Sequence, residues 1–129
     1  MARMPTAAEF PTFERIRDGY RFLALRNRYS GELNEAGIRA ALTDARALAQ
    51  RPEDEPAAVF FALAGRAKAL AGSWRTLPAL VAMNMAAERG GRLRATLADY
   101  SALLVPIASR TMSFDEVRAW FAARFEPTA

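Results

Sequence analysis

Apolar positions along this chain recur at the spacing of helices, and the strict alternation of a strand is nowhere sustained. Phe13, Ile16, Tyr20 and Leu23 share one face of a segment running from near Thr12 to near Asn27, and Ser30–Gly31 is expected to stop it. A second segment starts at Asn34, a good N-cap, and places Ile38, Ala41, Leu42, Ala45, Leu48 and Ala49 on one stripe. The polar stretch "RPEDEP" then reads as a loop, with Pro56 suited to the first turn of the next helix. That third helix, about Ala57 to Leu70, is apolar nearly all round. The fourth, from Ser73 or Thr76 to Arg89, is mostly apolar too, and Gly90–Gly91 ends it. A helix apolar on every side belongs at the centre of a bundle.

A fifth helix runs from near Thr96 through "LADYSALLVPIAS", where Pro106 is expected to interrupt and kink it. The sixth is announced by "SFDE", Ser113 to Glu116. This is a capping box: the Ser hydroxyl accepts from the amide three residues on, and the Glu reaches back. Met112 and Val117 sit where a hydrophobic staple forms, and Val117, Trp120 and Phe121 point to the core. There is no strand longer than a few residues, no repeat and no low-complexity segment. The reading is all-α: one compact helical domain of about six helices over residues 1–129, with 1–10 as a flexible N-terminal segment.

Hydrophobic residues make up 52% of the 129, enough for one modest core without disulfides or metal. Cys is absent, which fits a reducing compartment. Neither "MARMPTAAEF" nor "AAVFFALAG" has the length of a signal or a membrane span. A soluble cytoplasmic protein without a membrane partner is expected. His is absent as well, which excludes His general bases, His–metal sites and Ser–His or Cys–His nucleophile pairs. Any catalysis falls to Asp, Glu, Arg, Ser, Thr, Tyr or the single Lys68. Tyr29 and Tyr100 are expected to pack with their hydroxyls exposed.

Net charge is +4, unevenly placed. Between Phe61 and Met112 stand Arg66, Lys68, Arg75, Arg89, Arg92, Arg94 and Arg110, against only Glu88 and Asp99. Such a region is either a solvated helix surface or an attractor of phosphate or an acidic partner. Arg89, Arg92 and Arg94 raise the question of nucleic acid. No aromatic platform or DNA-reading motif accompanies them, so a nucleic-acid partner is not expected.

The stretch "KALAGSWRTLPAL", Lys68 to Leu80, has the outline of a phosphate-binding turn at a helix start: a Gly, a small hydroxyl residue, an Arg and a Thr. It joins two apolar helices. Upstream stands "RNRYSGELNEAGIRAAL" and downstream "DYSALLVPIASRTMSFDEVRAWFAARF". In order, spacing and length these resemble the Doc-type (death-on-curing) members of the Fic/Doc superfamily. Those open with a helix and "RYGG", carry a motif like HPFxDGNKRTAL before a long apolar helix, and close on a short amphipathic helix.

The resemblance implies transfer of a phosphate-containing group from a nucleotide to a protein hydroxyl. It implies a motif His as general base, an acid that helps hold magnesium, and a Gly-Asn turn with an Arg on the phosphates. Aligned on Gly72, the His position is Ala67, the Pro position Lys68, the Phe position Ala69 and the acid position Ala71; Asn becomes Ser73 and the next residue Trp74, while Arg75 and Thr76 match. Ala67 accepts no proton and Ala71 holds no hard cation. Loss of a general base costs about two to four orders of magnitude in rate. The anion-binding half survives as Gly72, Ser73, Arg75 and Thr76. Pro78 favours a helix start near Thr76, which displaces the amides the family uses as its anion nest.

For Arg75 the alternatives are phosphate binding or a surface ion pair. Trp74 either stacks in or closes the old pocket, or simply packs. Lys68 is a stand-in cation or a solvent-facing Lys. The function expected is a catalytically degenerate Doc-like protein that acts by binding a protein partner or peptide in a groove, of toxin–antitoxin derivation, an antitoxin-like helix being one such partner. No metal or other cofactor is expected, nucleotide held without metal being the weaker option. The alternatives are a divergent nucleotide-dependent transferase and a small basic nucleic-acid-binding protein.

Overall fold

A computed structural model describes residues 10–27, 29 and 31–128. The flexible segment expected at 1–10 falls outside them but for Phe10, and so does Ser30 of the expected stop after the first helix. Six α-helices follow in chain order: α1 (Phe13–Asn27), α2 (Glu35–Leu48), α3 (Glu55–Ala64), α4 (Leu77–Glu88), α5 (Leu97–Ala108) and α6 (Phe114–Arg124). A 3₁₀ turn, Pro52–Asp54, leads into α3, and another, Ala67–Leu70, follows it. Strands β1 (Gly91–Leu93) and β2 (Phe125–Pro127) form a two-stranded antiparallel ribbon that pairs Arg92 with Glu126. The all-α reading holds, and no described helix is long and apolar enough to cross a membrane.

The central placement of α3 and α4 follows from their lack of a polar face. Ala58, Val59 and Leu63 of α3, with Leu77, Val81 and Met85 of α4, pack against Ile16 and Tyr20 of α1 and Ile38 of α2. Ala57, Phe60 and Ala64 of α3, with Ala79 and Ala82 of α4, turn the other way, onto Tyr100 and Leu104 of α5 and Val117 and Phe121 of α6. The helix pair thus divides the interior into two cores and is covered on both sides. Each large side chain buried this way contributes roughly 1.5–3 kcal/mol.

The expected caps form. Asn34 accepts from the Gly37 amide. Ser113 and Glu116 close their capping box, with Met112 and Val117 in the same core. Thr96 and Asp99 make a second box that opens α5, and these hydrogen bonds hold the Asp99 carboxyl below its ordinary range.

Four expectations need correction. α3 starts at Glu55, with Pro56 in its first turn, and ends at Ala64 rather than Leu70. Gly65 caps it, and "AKAL" forms a 3₁₀ turn in which the Ala69 amide donates to the Arg66 carbonyl, while the Ala69 carbonyl accepts from the Asn34 amide at 3.0 Å. Helical spacing continues through those residues, but the α-helix does not. Pro106 does not interrupt α5: it lies in the last turn, and its own carbonyl accepts from Thr111 and Met112.

The Arg89, Arg92 and Arg94 cluster is not a free basic patch. Arg89 is buried on Glu55, and Arg92 and Arg94 share Glu126 across the ribbon. Tyr100, lastly, does not expose its hydroxyl. It is 1% exposed among Phe60, Trp120 and Phe121, and its hydroxyl has no partner among the described residues.

Burial pushes the Tyr100 phenol up to about 12, the neighbouring Asp99 charge adds to this, and Arg124 opposes it. With the folded value above the unfolded one, this contribution to stability is complete below about pH 10 and is lost as pH rises through about 12. Tyr100→Phe removes both the orphaned hydroxyl and the ionisation. It is expected to raise stability by roughly 1 kcal/mol at neutral pH. It should also flatten the alkaline loss in denaturant titrations run from pH 8 to about 12.

Candidate functional site

The Gly72 turn is built on backbone that only a few residue types tolerate. Ala71 sits in the left-handed region at φ 50° and Gly72 at φ 84°. A non-glycine residue there costs roughly 1–2 kcal/mol, so Ala71 is held in place by what surrounds it. The Tyr20 hydroxyl reaches the carbonyls of Gly31 at 2.9 Å and Ala71 at 3.5 Å. Tyr29 and Thr76 bring their hydroxyls to 3.4 Å, so the Tyr29 hydroxyl faces the turn. Gly37 lets α2 approach: a Cβ there would stand 2.9 Å from Ala69 Cβ.

The residues read as phosphate ligands do not converge. Ser73 is fully buried; its hydroxyl donates to the Leu70 carbonyl at 2.5 Å, and its own carbonyl accepts from the amides of Thr76 and Leu77. α4 begins after Thr76, as Pro78 favoured, and Thr76 makes no side-chain cap. Of the first-turn donors, Leu77's amide is used and Pro78 has none, and Leu77, Pro78 and Ala79 are all buried. Gly72 and Arg75 are exposed, and Arg75 makes no ion pair with a described residue. Lys68 is exposed and unpaired in the same sense, and Ala67 and Ala71 are half-buried.

Trp74 packs against both cores and donates its indole N–H to the Ala64 carbonyl at 2.8 Å. That bond satisfies a carbonyl at the end of α3, so Trp74 closes the inter-helix turn.

The concave surface lies one layer out. Between α1 and the segment leading into α2 runs a groove of about 840 Å³, lined among others by Arg17, Tyr20, Arg21, Leu25, Tyr29 and Leu33. The two tyrosines that hold the Gly72 turn stack with ring centroids 6.2 Å apart and form the wall between turn and groove. Leu25 is 87% exposed, and Phe22, one position off the groove, 55%. Arg21 and Arg26 pair with no described acid, and Arg17 meets Asp18 only at 3.9 Å. The groove acid Glu35 is already bound to Arg39, which also holds Glu14. Glu32, exposed and without a described ion pair, lines the groove as well, so its apolar side chains stand beside charges of both signs.

Sequence reasoning missed Arg17, Arg21 and Leu25. The signal was there: Arg17, Arg21 and Leu25 stand four apart, on one face of α1.

The turn makes a direct prediction. In Gly72→Ala the new Cβ would meet nothing nearer than Tyr29 Cδ1 at 3.9 Å, yet the positive φ is expected to lower stability by roughly 1 kcal/mol. Arg75→Ala should stay within about 0.5 kcal/mol of the parent. Urea midpoints of the two variants check this.

Compared with protein-family models, with curated proteins and with solved structures, the chain matches none of them.

Proposed function

We propose that this protein is a Doc-like binding module that has lost its transfer chemistry. On this reading the α1 groove takes one amphipathic, acidic helix or peptide of a protein partner, in the manner of an antitoxin segment. The observation that carries the reading is the groove itself: an open channel of mixed apolar and polar lining, with Leu25 exposed in it and Arg17 and Arg21 on the α1 side. An apolar side chain that exposed gains from burial against a partner at about 25 cal/mol per Å². Arg21 beside it, without a described ion pair, offers an acidic partner a contact. The resemblance to the Doc motif supplies the other half: aligned on Gly72, it puts Ala67 and Ala71 where that family has its general base and its metal-holding acid.

A second reading, nucleotide held by side chains alone, is favoured by one observation: Lys68 and Arg75 are both exposed and free of described ion pairs. Calorimetric titration with ATP, with and without magnesium, on the parent and on Arg75→Ala decides it, since binding that Arg75→Ala abolishes would support a retained phosphate contact.

For the leading reading, a labelled helical peptide with Leu on one face and Glu on its flanks is the probe, and its Lys-flanked counterpart the control. The Glu peptide is expected to bind at least about tenfold tighter, and Leu25→Asp and Arg21→Glu to weaken it by about tenfold or more in anisotropy titrations. Equal binding of both peptides, or indifference to both substitutions, would sink the assignment.

A further inference from the structure

A second, smaller cavity of about 240 Å³ shares no lining residue with the α1 groove. It is bounded by the entry to α3, the end of α4, and α6 with β2. Leu93, Phe121, Ala122 and Phe125 make its walls mostly apolar. Five charged residues, Arg51, Glu53, Asp54, Arg89 and Arg118, line the same cavity, and of these Asp54 and Arg89 are the buried ones. The Arg89 side chain is 2% exposed and that of Asp54 7%.

Arg89 keeps one donor without a partner, and Asp54 has one described ion-pair partner. Arg89 gives one Nη to Glu55 and the other to the Met85 carbonyl, and its Nε–H is buried without an acceptor among the described residues. Asp54 makes no cap to α3. Its one described ion-pair partner is Arg51, at 3.5 Å, on a mostly exposed side chain that Glu53 also engages at 3.4 Å. Buried charges left this way are costly unless something completes their bonding. The two are also neighbours in the fold, since Glu55, which holds Arg89, follows Asp54 directly.

A buried cation, a buried anion and an apolar wall are the three complements of a free α-amino acid with an apolar side chain. We propose that this cavity binds such a zwitterion. Its carboxylate goes to the Arg89 guanidinium, its ammonium to the Asp54 carboxylate, and its side chain lies against Phe121, Phe125 and Leu93. A simple carboxylic acid would face Asp54 and Glu53 as like charges, and a simple amine would face Arg89 and Arg51. The zwitterion meets both charged groups with no net charge of its own. The volume falls below the range of roughly 300–1,000 Å³ typical of drug-sized ligands and suits a small metabolite.

The test is calorimetric titration of the whole chain with L-leucine and L-phenylalanine, with 4-methylpentanoate and isoamylamine as leucine lacking its ammonium and its carboxylate. Saturable binding of an amino acid is expected, each half-ligand being weaker by about tenfold or more. Asp54→Asn should weaken the amino acid by about tenfold or more and leave 4-methylpentanoate no weaker than before. No saturable binding of either amino acid at roughly millimolar concentration overturns the proposal, as does a half-ligand that binds as tightly as leucine. If Asp54→Asn fails to fold, the comparison of half-ligands on the parent chain decides alone.

Discussion

The organisation of this protein follows from two helices that have no face fit for water. Helices α3 and α4 are apolar around most of their circumference, so each must be covered on both sides. α1 and α2 cover one side and α5 and α6 the other, which is why the interior is two cores rather than one. Everything that joins α3 to α4 must then cross between those cores in a short length of chain, residues 65–76. The left-handed Ala71, the buried Ser73 and the bridging Trp74 are the means by which so short a connection reverses direction without leaving carbonyls unpaired.

That constraint also accounts for the resemblance between the turn and a phosphate-binding loop. A tight reversal into a helix calls for glycine, a small hydroxyl residue and a helix start, and an anion nest calls for the same parts. Here the parts face inward. The Ser73 hydroxyl and carbonyl are spent on the turn, and the first amides of α4 are used, missing or buried. Tyr20 and Tyr29, which brace the turn from outside, are at the same time the wall of the α1 groove. Occupancy of the groove is therefore one step removed from the geometry of the turn.

Local signals in the sequence were legible where local physics decides. The caps at Asn34 and Ser113, the helix start forced by Pro78 and the central position of two all-apolar helices each follow from residues within a turn or two of one another. What was not legible depends on residues far apart in the chain. The 3₁₀ turn after α3 is tied to the start of α2 by a bond from Asn34 to Ala69, and Arg92 and Arg94 are held by Glu126 on the opposite strand. Tyr100 sits mid-helix with nothing nearby in sequence to announce that its hydroxyl is buried. The groove was hidden for a related reason, since a helix periodicity shows which residues face inward but not which neighbour is missing from the outer face.

The ribbon of β1 and β2 has a topological consequence. By pairing Gly91–Leu93 with Phe125–Pro127 it closes α5 and α6 into a ring of chain whose two ends are stitched together by backbone hydrogen bonds and the Arg92–Glu126 and Arg94–Glu126 pairs. Gly91 has no side chain, and the Phe125 ring lies over the space that a Cβ would fill, which seals the stitch. Closing a loop of this length has an entropic cost that grows only slowly with the number of residues inside it. The ribbon thereby ties the start of the α5–α6 segment to its end, and fraying of the chain after α6 is opposed by pairing to the strand that follows α4.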